Sequence, residues 1–378
     1  MNPTKNISSQ STVPPSTKMK TYTLLFTCLL FSLMLGPISI AQTTQTSLNQ
    51  VNKQTESTNL SAENPWCVYQ GKEGPGAGKH IVLISGDDEY RSEQALPMLG
   101  KILAMRYGFK CTVLFAINPA DGTIKPDHQT NISGMEEIDS ADLLILGLRF
   151  RNLPDEQMKH FVDYVNAGKP IIGTRTSTHA FNYPGNSPSQ YKHYGFNNKE
   201  WLGGFGRQVL GDTWINHHGH HKRESCRGII ADGQKDNPIL NGVTDVWGPS
   251  DVYGIRNLPE SANVLLKGQV LAGMSPDDKP VEGKKNNPMM PLAWSKGFKS
   301  ESGKVSKIVC TTMGASTDFE SEGLRRFVIN AAFWCLDMES SIPAKANVDY
   351  VDPYKPTQFG FGSYQKGLTP RDFDLKNK

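Results

Sequence analysis

The sequence has little surplus charge of either sign. Its 378 residues include 40 Lys and Arg against 37 Asp and Glu. Binding to nucleic acid or to an anionic lipid surface depends on an excess of positive charge. We therefore expect neither nucleic acid nor a membrane surface as a partner.

Cysteines are few. Of the six in the chain, Cys28 lies in an apolar N-terminal run, which leaves five in the body. An odd number in a chain this long does not make a disulfide framework. Cys111 and Cys310 lie in apolar runs and are predicted to be buried thiols. A single disulfide bridge between Cys67 and Cys226 is an alternative that the sequence does not decide.

The sequence has one long apolar run, and it lies near the start. Residues 22–40 are almost uninterruptedly apolar, follow two lysines and end just before Ala41. This pattern predicts a signal peptide over 1–41, with Met19 as an alternative start, and a periplasmic or secreted mature protein. Its removal would take three lysines and leave 37 charges of each sign. An uncleaved membrane anchor is the alternative.

Composition divides the rest of the chain into three parts. A segment rich in Gln, Thr, Ser and Asn predicts a disordered tether over 42–78. An α/β domain is predicted over 79–340. The tail over 341–378 is rich in Pro, Gly, Lys and aromatic residues, and we expect an extended arm, with disorder as the alternative.

Short apolar runs alternate with helical patterns in the first half of the domain. The predicted strands are 80–85, 111–117, 142–148 and 170–173, and the predicted helices are 96–108 and 154–168. Such alternation predicts a three-layer, doubly wound, mostly parallel sheet. In the less regular second half, strands are predicted at 214–218, 227–231, 246–255, 263–270, 289–294 and 304–312, and a helix at 317–336.

The usual nucleophile is missing where this kind of fold often carries one. Residues 173–177 resemble the strained elbow G-x-nucleophile-x-G that follows a strand. Arg175 stands in the nucleophile's place and Ser177 replaces the second glycine. A guanidinium is always protonated and cannot attack a carbonyl.

Polar residues follow three of the predicted parallel strands. Their carboxyl ends would meet at one edge of the sheet, so the side chains are expected to line a common cleft. Solvated loops are the alternative. The residues are Asp88, Glu89, Tyr90, Arg149, Arg175 and His179.

A histidine-rich tract runs from Asn216 to His221. If 214–218 is a strand, His217 and His218 point to opposite faces, and Gly219 lets His220 or His221 return. Zinc or another divalent transition metal stays open as a cofactor, although the tract lacks a ligand spacing such as H-E-x-x-H. A positioned imidazole that works as an acid or base without metal is the alternative.

Seven segments resemble the trehalose-utilisation (ThuA-like) family, and their order and spacing carry the resemblance. They are Ile81 to Gly86, Gly168 to Gly173, Leu202 to Gly204, Asn237 to Ile239, Asp251 to Tyr253, Pro291 to Trp294 and Val309 to Gly314. The resemblance, especially to secreted planctomycete-type members, implies a flavodoxin-like fold. It also implies a relative of the class I glutamine amidotransferases that has lost their catalytic cysteine, which agrees with Arg175 at the elbow. The chain departs from the family at Arg91 and Ala315, where a histidine is common.

The resemblance implies carbohydrate catabolism, with a small sugar or keto-sugar as substrate and a hydrolase- or lyase-like reaction. We expect His179 and His218 as acid and base groups, with Asp251 to orient one of them. The expected substrate-binding residues are Asp88, Glu89, Tyr90, Arg149, Arg175 and Tyr253. No cofactor is expected, and a homo-oligomer stays open. The alternatives are a non-catalytic glycan- or partner-binding module of the cell envelope and a metal-dependent hydrolase that uses the tract from His217 to His221.

Overall fold

The computed structural model describes residues 64–376. This part holds three α-helices: α1 (Ser92–Tyr107), α2 (Asp155–Asn166) and α3 (Glu322–Cys335). The signal peptide predicted over 1–41 lies outside the described residues. Within them, no helix has the length and apolar character needed to cross a membrane.

Within residues 64–376, ten strands form one sheet in the order β1-β3-β2-β4-β5-β10-β9-β8-β6-β7. The strands of the first half are β1 (Cys67–Gln70), β2 (His80–Gly86), β3 (Lys110–Phe115), β4 (Leu143–Leu148) and β5 (Ile171–Thr174). Those of the second half are β6 (Cys226–Ile230), β7 (Val246–Gly248), β8 (Asn263–Val270), β9 (Met290–Lys299) and β10 (Val305–Thr311).

The sheet is mixed. Strands β3, β2, β4, β5 and β10 are parallel neighbours, whereas β1 and the run from β9 to β7 pair antiparallel. The α/β fold class predicted from the sequence is confirmed. The parallel centre places the carboxyl ends of β2, β4, β5 and β10 at one edge, and the polar loops begin there.

Helices cover both faces of the parallel strands. Alternate residues of a strand point to opposite faces. Ile81 and Leu83 of β2 therefore join the apolar cluster that includes α1 and α3. Val82 and Ile84 join the cluster that includes α2. This double burial explains why β2 is a continuous apolar run instead of an alternating one.

Two helix starts differ from the predictions. Helix α1 begins at Ser92, not at residue 96, and Pro97 lies inside it. Pro97, the sixth residue of α1, has no amide to donate to the Glu93 carbonyl, so the helix loses one backbone hydrogen bond there. Helix α3 begins after Ser321, whose side chain accepts the Leu324 amide, and the predicted start at 317 falls in a separate 3₁₀ turn.

The prediction of a disordered tether over 42–78 is wrong for residues 64–78. Residues 42–63 lie outside the described part. Strand β1 pairs antiparallel with β3, and Cys67 and Tyr69 are buried in the core. The alternating pattern of β1 covers only four residues. So short a pattern is easily hidden by the polar sequence before it.

The cysteines are free thiols. All five in the described residues are buried and unpaired, which confirms the prediction for Cys111 and Cys310. Cys67 and Cys226 do not form the disulfide bridge that the sequence allowed. Cys67 lies in β1 at one end of the strand order, and Cys226 lies in β6 near the other end.

Residues after 341 lie along the body without α-helix or strand, and contain several turns and a short 3₁₀ helix at Pro370–Phe373. The Tyr107 hydroxyl donates to the Asn347 carbonyl at 2.8 Å, and the Tyr69 hydroxyl donates to the Phe373 carbonyl at 2.7 Å. These contacts attach the C-terminal segment to α1 and β1.

Candidate active site

Arg175 occupies a strained turn directly after β5. Its φ angle is +44°, in the left-handed region that non-glycine residues seldom adopt. A 3₁₀ turn, Arg175–His179, follows at once. The elbow geometry that the sequence pattern predicted is present, with a guanidinium where a nucleophile would stand.

The Arg175 guanidinium is buried and points across the sheet edge. Its Nη1 donates to the Asp251 and Thr312 carbonyls at 2.5 and 2.8 Å. Its Nη2 donates to the Tyr90 hydroxyl at 3.0 Å and to Asp251 Oδ1 at 2.9 Å. The group lies between two tyrosine rings, 4.4 Å from the Tyr90 centroid and 3.9 Å from that of Tyr253. Arg175 therefore fixes Asp251.

Asp251 is the centre of the cluster. Its side chain is fully buried and receives Arg175 on one side and two imidazoles on the other. His217 Nδ1 lies 2.7 Å from Oδ2, and His221 Nδ1 lies 3.1 Å from Oδ1. Burial opposes ionisation, but Arg175 and the two histidines outweigh it and hold the pKa of Asp251 well below its usual range. Asp251 is thus a carboxylate near neutral pH.

His221 is held between two carboxylates. Its Nδ1 faces Asp251, and its Nε2 lies 3.1 Å from Glu89 Oε1. Hydrogen bonds to Asp251 and Glu89 raise the pKa of His221 to about 9. Because ionised carboxylates only accept hydrogen bonds, both ring nitrogens carry protons. His221 is therefore a fixed imidazolium at neutral pH.

His217 has the geometry of a proton-transfer group. Its side chain is 35% exposed, and Nδ1 donates to Asp251. Among the described residues, no hydrogen-bond partner faces its Nε2. A carboxylate that holds Nδ1–H leaves the lone pair on Nε2, as in the histidine of a hydrolase triad. His217 can therefore accept a proton from a bound molecule.

A second ion-pair group borders the imidazoles. Arg149 Nη1 donates to Asp88 Oδ1 at 2.8 Å, and its Nη2 lies 3.8 Å from Glu89 Oε2. Glu89 thus joins Arg149 to His221. The carboxylates of Asp88, Glu89 and Asp251 thus lie against two guanidinium groups and the His221 ring.

Two buried aspartates position the loops. Asp87 Oδ1 accepts the amides of Glu89 and Tyr90 at 2.8 and 3.1 Å. Asp318 accepts the amide and hydroxyl of Ser250 at 3.0 and 2.6 Å, together with the amide of Gly314 at 2.9 Å. Asp87 fixes the segment after β2, and Asp318 ties the loop that carries Asp251 to the loop after β10.

The two predicted catalytic histidines do not meet. His179 is 2% exposed, and its ring packs against Phe150 and Trp214. Burial holds the pKa of His179 well below its usual value. His218 points away, with Nε2 2.9 Å from the Lys285 carbonyl. Among the described residues, no hydrogen bond or ring contact joins His179 to His218, and their catalytic role stays a prediction.

Three of the predicted substrate-binding residues are buried under the site. Tyr90, Arg175 and Tyr253 are each about 1% exposed and contact one another, so they support the cluster from below. The structure does bring Asp88, Glu89 and Arg149 to the rim of the cluster, as the sheet-edge argument predicted.

The sequence alone assigns no individual role to His217 or His221. It predicts a strand over 214–218, but in the structure only His217 in this range forms an isolated bridge, with Tyr253. The turn at Gly219 brings His221 back to the side of His217, with ring centroids 4.9 Å apart. The spacing of four residues around a glycine is the signal that could have found them.

The same atoms could hold a metal ion. His217, His221 and Asp251 each offer one ligand atom, and these atoms lie within 4.8 Å of one another. Two imidazoles and a carboxylate suit zinc and related divalent metals. A cation here would replace the protons that now join the imidazoles to Asp251.

No family model matches the chain, and no curated protein matches it. Several solved structures are similar in fold. One, described as a ThuA-like protein from Bacteroides uniformis, is 15% identical with a TM-score of 0.43, over 70% of this chain and 93% of that one. Another ThuA-like protein, from Parabacteroides merdae, is 14% identical with a TM-score of 0.45, over 75% and 97%.

A third similar structure is the glutaminase domain of Trypanosoma brucei CTPS with bound acivicin. It is 10% identical with a TM-score of 0.31, over 74% of this chain and 98% of that one. Two of the three descriptions name the family that the sequence motifs resemble, and the agreement concerns the fold alone.

Proposed function

We propose that the chain is a carbohydrate-active enzyme that works by acid–base chemistry, with His217 as the group that moves the proton. One observation carries the proposal: buried Asp251 binds Arg175 and two imidazoles at once. A fully buried carboxylate with three cationic or proton-donating partners is costly to build and is typical of a catalytic site.

The proposed mechanism assigns the proton to a single atom. Nε2 of His217 takes a proton from a substrate hydroxyl, or from the carbon next to a keto group, and later returns it to the product or leaving group. Asp251 stabilises the imidazolium that forms in between. The fixed positive charge of His221 faces the negative charge that develops on the substrate oxygen. No covalent intermediate forms at the elbow, because Arg175 is not a nucleophile.

The proposed substrate is a sugar or keto-sugar. The ThuA-like resemblance points to carbohydrate utilisation, and the rim of the site suits hydroxyl groups. Asp88 presents carboxylate oxygens that accept hydrogen bonds, and Arg149 beside it donates. We place the protein in the periplasm or outside the cell, in line with the signal peptide predicted over 1–41.

The test is turnover of a panel of monosaccharides, disaccharides and their keto derivatives. We expect His217→Ala to lower the rate by about 10²- to 10⁴-fold, the usual contribution of a positioned acid or base. His218→Ala is the matched control, because its ring points to Lys285, and it should keep most of the activity. Unchanged turnover in His217→Ala would refute the proposal. Binding of a glycan with no product would support the non-catalytic module instead.

A second candidate is a metal-dependent hydrolase at the same place, since three ligand atoms lie within 4.8 Å. The geometry favours the proton: His221 Nδ1 lies 3.1 Å from Asp251 and its Nε2 lies 3.1 Å from Glu89, so both ring nitrogens are placed as hydrogen-bond donors, whereas a metal ligand needs an unprotonated nitrogen. Elemental analysis of untagged protein, before and after dialysis against a chelator, decides between them. Stoichiometric zinc whose removal abolishes turnover would establish the metal enzyme.

A further inference from the structure

A strap formed by residues 357–364 of the C-terminal segment lies against the loop that supplies Glu89. The Gly360 amide donates to the Glu89 carbonyl at 2.8 Å, and Arg91 donates back to the Gly360 carbonyl. At the start of the strap, the Thr357 amide donates to Gln94 Oε1 at 2.9 Å. Backbone and side-chain hydrogen bonds therefore fix the strap to the same segment that orients His221.

Two phenylalanines of the strap face different environments. Phe359 is buried, and its ring centroid lies 5.1 Å from that of Tyr90 and 5.7 Å from that of His221. Phe361, two residues later, is 62% exposed. Phe359 thus packs against the cluster, while Phe361 stands at its open side.

The Phe361 ring is held in place although it is exposed. The Arg149 guanidinium lies 4.7 Å from its centroid and 4.4 Å from that of Phe150, so the cation is between two rings. Arg149 is itself fixed by its ion pair with Asp88. A cation–π contact to an immobilised guanidinium orders the ring. The site therefore presents a flat apolar face that does not have to be ordered when a ligand binds.

We propose that Phe361 is a binding platform for a sugar ring. In a substrate with two sugar units, this ring would be the neighbour of the sugar unit that reacts at His217. This inference rests on the proposed function and extends it to substrates of at least two sugar units. One face of a pyranose carries mainly C–H groups, and burying them against an aromatic ring removes apolar surface from water.

The position of Phe361 sets the order of the two rings. Glu89 connects the imidazoles to the neighbourhood of Phe361. Its Oε1 lies 3.1 Å from His221 Nε2, and its Oε2 lies 3.8 Å from Nη2 of Arg149, whose guanidinium packs against the Phe361 ring. A sugar unit on Phe361 would keep its hydroxyl groups near Asp88 and Glu89, and the neighbouring unit would reach His217.

The experiment measures binding by calorimetry in the His217→Ala background, so that chemistry does not interfere. The probes are trehalose, maltose, cellobiose and glucose. Phe361→Ala should weaken binding of the disaccharide that binds best by about tenfold and leave glucose nearly unchanged. Phe361→Trp should restore the affinity. Phe298→Ala is the matched control, because Phe298 also faces a cation, Lys296, but lies opposite Ser306 at the far end of β10.

The results separate this inference from the proposed function. If Phe361→Ala binds every disaccharide as tightly as the parent, the platform is refuted, whether or not His217 is needed for turnover. If disaccharide binding depends on Phe361 but no sugar is turned over by the unmodified protein, the platform stands and the proposed enzyme falls. Equal weakening of glucose and disaccharides would also refute a platform for the second ring.

Discussion

Arg175 donates to Asp251 across 2.9 Å, at a turn where its φ angle of +44° places the guanidinium at the nucleophile position of the elbow. The side chains of this pair are 1% and 0% exposed. The strained turn thus has a different use in this chain: it delivers a cation that fixes a carboxylate, and the carboxylate in turn fixes two imidazoles.

Loss of Arg175 should strongly destabilise the fold. Arg175→Ala leaves Asp251 buried without its guanidinium, and breaking a buried pair in this way costs about 3–5 kcal/mol. Urea denaturation measures the change in the free energy of unfolding. The control is Lys159→Ala, which removes an exposed ion pair with Asp163 and should change the free energy of unfolding far less. Equal costs for the two variants would contradict a structural role for the Arg175–Asp251 pair.

Asp318 should affect activity without touching the substrate. Its carboxylate holds Ser250, the residue before Asp251, and also the amides of Gly314 and Ala315. Asp318→Asn keeps one oxygen but loses the charge, and should cost about 1–3 kcal/mol of stability and lower turnover. Asp245→Asn is the control, because Asp245 is largely exposed. Normal turnover in Asp318→Asn would show that the loop keeps its position without this carboxylate.

The stability of the protein should depend on His221 at alkaline pH. Its pKa is raised from 6.5 to about 9 in the folded protein. The stabilisation is therefore fully present below about pH 6.5 and is lost as the pH rises through about 9. The free energy of unfolding, compared between the unmodified protein and His221→Gln, should differ most at about pH 6 and least at about pH 10. A difference that grows with pH would have the wrong sign.

The thiols should be unreactive in the folded protein. Burial raises the pKa of Cys67 to about 12 and raises those of the four other cysteines of the described residues further, so little thiolate forms. A thiol reagent should label none of the five in buffer and all five in denaturant. Fewer labelled thiols in denaturant without reductant would indicate a disulfide.

Local pattern predicted the parallel half of the fold well. The runs at 80–85 and 142–148 match β2 and β4 to within one residue at each end, because strands buried on both faces must be continuously apolar. In the antiparallel half, the predicted strand at 263–270 coincides with β8. The start of α1 was missed, because Arg91 caps it in a left-handed conformation that no residue preference indicates.

The site was predicted in part. The carboxyl ends of parallel strands share one edge of a sheet. This predicted that Asp88, Glu89 and Arg149 lie close together, because it depends only on strand order. The sequence did not single out His217, because the path of a loop is set by tertiary contacts such as the bridge between His217 and Tyr253. Burial of Arg175 could not be read from the sequence either, because its carbonyl partners come from distant loops.

The central claim is that His221 is an imidazolium held by Asp251 and Glu89 beside His217. Nuclear magnetic resonance of protein with ¹⁵N-labelled histidine measures this directly, with no need for a substrate. We predict that one imidazole, absent from the spectrum of His221→Gln, stays protonated up to about pH 9, and that Glu89→Gln lowers its pKa. If the His221 signal instead titrates near 6.5 in both the unmodified protein and Glu89→Gln, the carboxylates do not hold it, and the proposed centre is contradicted.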